Sequence, residues 1–194
     1  MSAGALHDRI ERVATLLGAH ARAIARTHGV EPIQLDVLHF LARCNRYSDT
    51  SKAVTEFFGL TKGTVSQTIA ALHRKGLVDK QPDPADGRRI HLILTRAGER
   101  VVREAFPPEL LRTVATPADE ALVAGLADLL RRMQRASGAA SFGECQGCAH
   151  FRREGDRRFR CGLTGEALRR VDIEKICLEH TTPSDQAHAV EGVA

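Results

Sequence analysis

The stretch at residues 60–77, LTKGTVSQTIAALHRKGL, constrains the fold more than any other part of the chain. Thr61 is a good helix N-cap, Val65, Ile69 and Leu72 fall on one apolar stripe, and Gly76 stops the helix. Lys62, Thr64, Ser66, Gln67, His73 and Arg74 are polar and fall mostly on other faces. Just upstream, residues 51–58 predict a short helix ending at Gly59. Two short helices across a tight glycine-containing turn, the second capped and polar-faced, form a helix-turn-helix signal. Downstream, Leu77-Val78 leads into PDPADGRR, which is dense in turn residues, and Ile90-His91-Leu92-Ile93-Leu94 alternates as a strand does. A hairpin is therefore expected, with Arg88 and Arg89 at its tip.

Helices flank this unit. Residues 6–28 carry Ile10, Val13, Leu16, Leu17, Ala21 and Ile24 at helical spacing, closed by His28-Gly29 and Pro32. Residues 33–44 predict a second helix through Leu35, Leu38, Phe40 and Leu41, and residues 45–50 read as a polar turn. Thr95 caps a helix running to about Phe106, where Pro107-Pro108 interrupts it. Thr116-Pro117 starts another, with Leu122, Leu126, Leu129, Leu130 and Met133 carrying it to Arg135. With aromatics at 4% and no Trp, the core is expected to be aliphatic and helical. No apolar run approaches a membrane span, and the start lacks a secretory pattern, so a cytoplasmic protein without membrane contact is expected.

The formal charge of +4 is modest, but its placement is informative. Residues 61–100 hold eight Lys/Arg against four Asp/Glu, whereas the segments on either side nearly balance. The basic excess therefore coincides with the helix-turn-helix and hairpin, which is the electrostatic footprint expected for a polyanion partner.

Over residues 6–136 the chain resembles the MarR family of multiple-antibiotic-resistance-type regulators. The resemblance is carried by TKGTVSQTIAALHRKGLV and then PDPADGRRIHLILTRAG, with Asp86, Arg88, Leu94-Thr95 and Gly98 matching the family's wing pattern. It implies a winged helix-turn-helix homodimer whose first and last helices interlock, binding double-stranded operator DNA. Two-fold symmetry would then set pseudo-palindromic half-sites about 10 bp apart. Under that implication Thr64 and Gln67 reach base edges, and Thr61, Lys62 and Ser66 contact phosphates at the helix N-terminus. Arg74 and Arg89 join the DNA-binding set, and Arg88 enters the minor groove or clasps the backbone with Asp86 orienting its guanidinium.

Beyond a linker at residues 137–144, a different chemistry begins. Cys145-x2-Cys148-x12-Cys161-x15-Cys177 is followed by His180, an alternative fourth ligand. A Cys-x2-Cys pair chelates one metal from a single turn, and two more thiolates complete a tetrahedron. Ligand spacing favours an iron–sulfur cluster (4Fe-4S or 2Fe-2S) sensing redox state or iron, with zinc as the other candidate, acting as a folding staple. His150 reads as a bystander and Cys44 as a small core residue.

The expected fold class is mainly α: a winged helix-turn-helix with flanking dimerisation helices at residues 1–136, its DNA-binding core at 33–98. A small cysteine-rich module follows at 145–182, then a disordered tail at 183–194. The expected function is a sequence-specific DNA-binding transcription regulator. Two alternatives stay open: a regulator answering to a small-molecule effector with a purely structural zinc tail, or a small metalloprotein or electron carrier on a winged-helix scaffold. No Ser-His-Asp, His-Glu-x2-His or phosphate-loop signature is present, so no enzymatic activity is expected.

Overall fold

The computed structural model describes residues 2–138 and 140–183. The tail expected at 183–194 therefore lies, apart from Pro183, outside the described residues. The element order is α1 (Ala3–Thr27), α2 (Pro32–Arg43), α3 (Ser51–Phe58), α4 (Lys62–Arg74), β1 (Val78–Pro82), β2 (Ile90–Leu94), α5 (Arg96–Ala105), α6 (Glu109–Val114) and α7 (Glu120–Ser137). A smaller unit with three short strands follows: β3 (Phe151–Arg153), β4 (Phe159–Cys161) and β5 (Ala167–Leu168). The mainly helical winged-helix architecture is the one the sequence leads one to expect. The short helix α6 was not foreseen, because ELLRTV follows two prolines and spans under two turns.

Local chemistry sets the boundaries. Thr50, Thr61 and Thr95 each occupy an N-cap, their hydroxyls accepting from the amides of Ala53, Thr64 and Gly98. Pro32 opens α2, where its missing N–H costs nothing. Gly59 (φ 62°) and Gly138 (φ 66°) end α3 and α7 in the left-handed conformation that glycine adopts without strain. β1 and β2 form an antiparallel hairpin with Val78 opposite Leu94 and Pro82 opposite Ile90. The junction between hairpin and α5 is tight: the Thr95 hydroxyl donates to the Gly76 carbonyl at 2.7 Å.

The main core lies under the helix-turn-helix. Leu35, Val37 and Leu38 of α2 meet Val54 of α3, Val65, Ile69 and Leu72 of α4, and Val78 and Leu92 of the hairpin. Each such aliphatic side chain contributes about 1.5–3 kcal/mol on full burial. By contrast α1 buries only Ala25, and α7 buries none of its side chains. Ile10, Val13 and Leu16 of α1 and Leu122, Val123, Leu126, Leu130 and Met133 of α7 remain exposed. These are the two helices expected to interlock between copies.

The C-terminal unit is a three-stranded antiparallel sheet in the order β3-β4-β5 around a second, small core of Cys145, Phe159, Leu168 and Ile173. It does not hang from a free linker. Phe142, within the span read as a linker, and Ile176 both belong to the main core. Phe142 sits against Phe40 and Phe57, with ring centroids 6.3 and 5.1 Å away. Ile176 forms bridges to both Cys44 and Glu144. No helix among the described residues is long and apolar enough to cross a membrane.

Candidate nucleic-acid interface and metal centre

α4 divides as its sequence pattern requires. Val65, Thr68, Ile69 and Leu72 are buried, while Thr61, Lys62, Thr64, Ser66 and Gln67 are exposed at its N-terminal half. The Thr61 hydroxyl accepts from the Thr64 amide at 3.2 Å and lies 2.9 Å from the Thr64 hydroxyl, so both threonines are partly engaged in the cap itself. Arg74 is exposed in the last turn, about 18 Å along the axis from Lys62 at ~1.5 Å per residue. A groove of about 590 Å³ runs beside the helix, lined by Lys52, Glu56, Lys62, Ser66 and Lys80 among others. Lys52 and Lys80 were not among the residues expected from sequence. Their signal was positional only: one lies in the first turn of α3, and the other stands on the exposed part of β1 beside α4.

The wing separates its two arginines. Arg88 is exposed at the tip, but its backbone amide, rather than its guanidinium, is what Asp86 holds, at 3.1 Å. Asp86 therefore shapes the turn and leaves the Arg88 side chain to project. Arg89 folds back: its Nη2 donates to the carbonyls of Arg46 at 3.2 Å and Tyr47 at 2.7 Å. Its placement in the tertiary structure is that of a strut between wing and the turn at residues 44–49. Beside it the His91 ring stands between two carboxylates, Nδ1 2.6 Å from Asp49 and Nε2 2.9 Å from Asp83. Hydrogen bonds to Asp83 and then Asp49 raise the His91 pKa. His91 in turn, with the amides of Asp86 and Ala85, holds Asp83 down at about 2.

The four C-terminal cysteines come together. Cys145, Cys148, Cys161 and Cys177 all line one cavity of about 20 Å³, closed by Asn45, Tyr47, His150, Phe151, Leu163 and Leu168 among others. Cys145 and Cys148 flank a single 3-10 turn, Cys145–Gly147, with the Cys148 amide bonded to the Cys145 carbonyl at 3.1 Å. Cys161 ends β4; burial alone would raise its pKa, but the amide and side chain of Thr164 and the Leu163 amide outweigh it and leave the thiol below its ordinary value. Cys148 accepts from the Thr181 amide at 3.5 Å. Burial raises the Cys177 pKa, opposed in part by the Asn45 side chain and the Glu179 amide. Burial, then the neighbouring Cys177, Cys161 and Cys148, push the Cys145 thiol up to about 12. All four thiols are free. As they stand, no group of three or more His, Cys, Asp or Glu side chains among the described residues is arranged to hold a metal ion.

His180, the alternative ligand, is directed elsewhere: its Nδ1 lies 2.6 Å from the Ser141 hydroxyl, in a cleft beside α7. Cys44 is buried at the end of α2, its thiol pushed up to about 12 chiefly by burial, as befits a core residue.

Comparisons with known proteins agree with the winged-helix half of this description. The sequence model of the MarR family matches residues 28–89. The transcriptional regulator HosA of Escherichia coli O111:H- is 40% identical over 47 residues, which is 24% of this chain and 35% of that protein. The chain thus spans about a third of the length of the curated relative it matches. Among solved structures, CouR from Rhodococcus jostii RHA1, crystallised with p-coumaroyl-CoA, superimposes with a TM-score of 0.56 at 17% identity, over 66% of this chain and 90% of that one. The DNA complex of Staphylococcus aureus MepR gives 0.50 at 22% identity, over 67% and 97%. Residues 28–89 therefore match the MarR family model, and the described chain shares the fold of these solved structures.

Proposed function

We propose that this protein is a transcription regulator that binds a pseudo-palindromic operator as a homodimer, with a four-cysteine metal centre adjusting its affinity. The observation that carries the reading is the exposed polar N-terminal half of α4, with Lys62, Ser66 and Gln67 beside a lysine-lined groove and Arg88 projecting from the wing. Gln67 has the donor–acceptor pair that reads adenine, and Lys62 and Ser66 suit phosphate. MepR, of the same fold, has been crystallised on DNA. The unburied apolar faces of α1 and α7 supply the reason to dimerise.

Binding to a palindromic promoter duplex and to a random duplex, each over a range of salt concentrations, tests it. Gln67→Ala is expected to lower the preference for the operator by about 1–3 kcal/mol. Arg88→Ala is expected to weaken both duplexes and flatten the salt slope by about one. Equal affinity of the unaltered protein for the two duplexes would sink the reading.

A second reading has one observation in its favour. A cavity of about 300 Å³, at the small end of ligand pockets, lies between the 44–49 turn, β2 and the C-terminal unit, lined by Arg46, Asp49, Arg169 and Lys175 among others. CouR, similar in fold, was crystallised with a coenzyme A thioester. In this reading a polar small molecule is the effector, and the metal centre is only a staple. Release of operator DNA by such a ligand, with the metal content unchanged, would favour it.

A further inference from the structure

Three features remain outside the DNA-binding account: the convergence of the four thiols, the smallness of the core around them, and the hydrogen bonds tying them to the wing. The core that residues 145–182 build among themselves has four buried side chains, Cys145, Phe159, Leu168 and Ile173. A unit of this size, below about 40 residues, does not stabilise itself by apolar burial and needs a cross-link or a metal. The thiols have not been used for cross-links.

Resting on the regulator reading, we infer that Cys145, Cys148, Cys161 and Cys177 close around a single zinc ion, and that this ion fixes the wing through the turn at residues 44–49. The cavity favours one of the two candidate groups. About 20 Å³ is room for one water-sized body, which suits one ion. An iron–sulfur core, with two to four irons and as many sulfides, needs several times that space. The Thr181 amide donates to the Cys148 sulfur, and backbone amides and the Asn45 side chain beside Cys161 and Cys177 favour their thiolates, so the surroundings would offset part of a tetrathiolate's negative charge. Each thiol gives up its proton to solvent as it ligates, and no electron is transferred. His180 is not among the residues lining this cavity and sits instead in the cleft beside α7.

The path to the wing is short. Cys177 is flanked by Ile176, whose amide donates to the Arg43 carbonyl and whose carbonyl accepts from the Asn45 amide, each at 2.9 Å. The Leu178 amide donates to the Ser48 hydroxyl at 2.7 Å. From the other side, Arg89 binds the Arg46 and Tyr47 carbonyls, and the Leu92 amide binds the Asp49 carbonyl at 2.7 Å. The turn at residues 44–49 is therefore held by the cysteine unit at Asn45 and Ser48 and by the wing at Arg46, Tyr47 and Asp49.

The test uses the full-length protein and needs no DNA. Elemental analysis is expected to give one zinc per chain and no acid-labile sulfide. Stripping the zinc with a chelator is expected to speed amide exchange at residues 44–49 and at Leu92 on the order of tenfold, with the amides of Ile69 and Leu72 unmoved. Asn45→Ala, which keeps every ligand, is expected to retain zinc yet show the faster exchange at Leu92. Iron with sulfide, or cysteines paired as disulfides without metal, would overturn the zinc assignment. Zinc at full occupancy with unchanged exchange after stripping would overturn the coupling. Loss of operator recognition would sink the regulator reading and leave these readouts standing.

Discussion

At the scale of single residues, the hairpin is held by groups that carry specific, separable demands. Gly98 lies so close to the preceding turn that a Cβ there would stand 2.2 Å from the Leu77 carbonyl oxygen. That oxygen is backbone and accepts from the Thr95 amide, so it cannot yield cheaply. Gly98→Ala is therefore expected to destabilise the fold by about 1–3 kcal/mol, read as a lowered denaturation midpoint. His91 makes a demand on pH. Its pKa is raised in the folded state, so the stabilisation is complete below about pH 6.5 and is lost as pH rises through the folded value. Asp83, held at about 2, has the opposite slope, and its share is lost only as pH falls into the acid range. Thermal melts from mildly acid to alkaline pH should show a decline that His91→Gln abolishes; parallel curves for the two proteins would refute the assignment. Both arginines of the wing tip were visible in the sequence. That one projects and one folds back was not, because the carbonyls that capture Arg89 lie more than 40 residues away in the chain.

At the scale of elements, periodicity and capping chemistry made α2, α3, α4, the hairpin and α5 legible within about two residues. Each is specified by local signals, such as Thr61 before an apolar stripe or Gly59 after one. Docking between elements left no such mark. Residues 45–50 read as a mere polar turn, yet Asn45, Ser48 and Asp49 are buried and bonded. Tyr47 and Arg46 of the same turn both reach Glu166 in the C-terminal unit. The four-cysteine spacing was plain, but the smallness of the cavity that the cysteines line depends on how three separate segments pack, the Cys145–Cys148 turn, the end of β4 and the stretch around Cys177. Phe142 is the clearest case, a lone aromatic in a Gly/Ala/Ser run that packs on Phe40 and Phe57. Phe142→Ala is expected to cost about 3 kcal/mol. The loss should appear as faster exchange in both α3 and the cysteine unit; a change confined to residues 137–144 would show that the two units are not joined there.

At the scale of the whole molecule, the single chain leaves its longest helices unsatisfied. Leu122, Leu126, Leu130 and Met133 repeat along α7 at three- and four-residue steps, and each is more than half exposed. Leu126→Glu with Leu130→Glu is expected to yield a monomer by sedimentation, with operator affinity falling together with the loss of two-fold contact; a dimer of unchanged stability would place the interface elsewhere. The seating of Phe142 and Ile176 in the main core bears on how such a protein could be cut or recombined. A chain ended before residue 142 would not be the same winged helix merely lacking an appendage. It would open the aromatic cluster of Phe40 and Phe57 to water and remove the bridge at Cys44. For the same reason the cysteine unit is not portable: transplanted onto another winged helix, it would need a matching aromatic socket and a matching turn, so the two halves must change together or not at all.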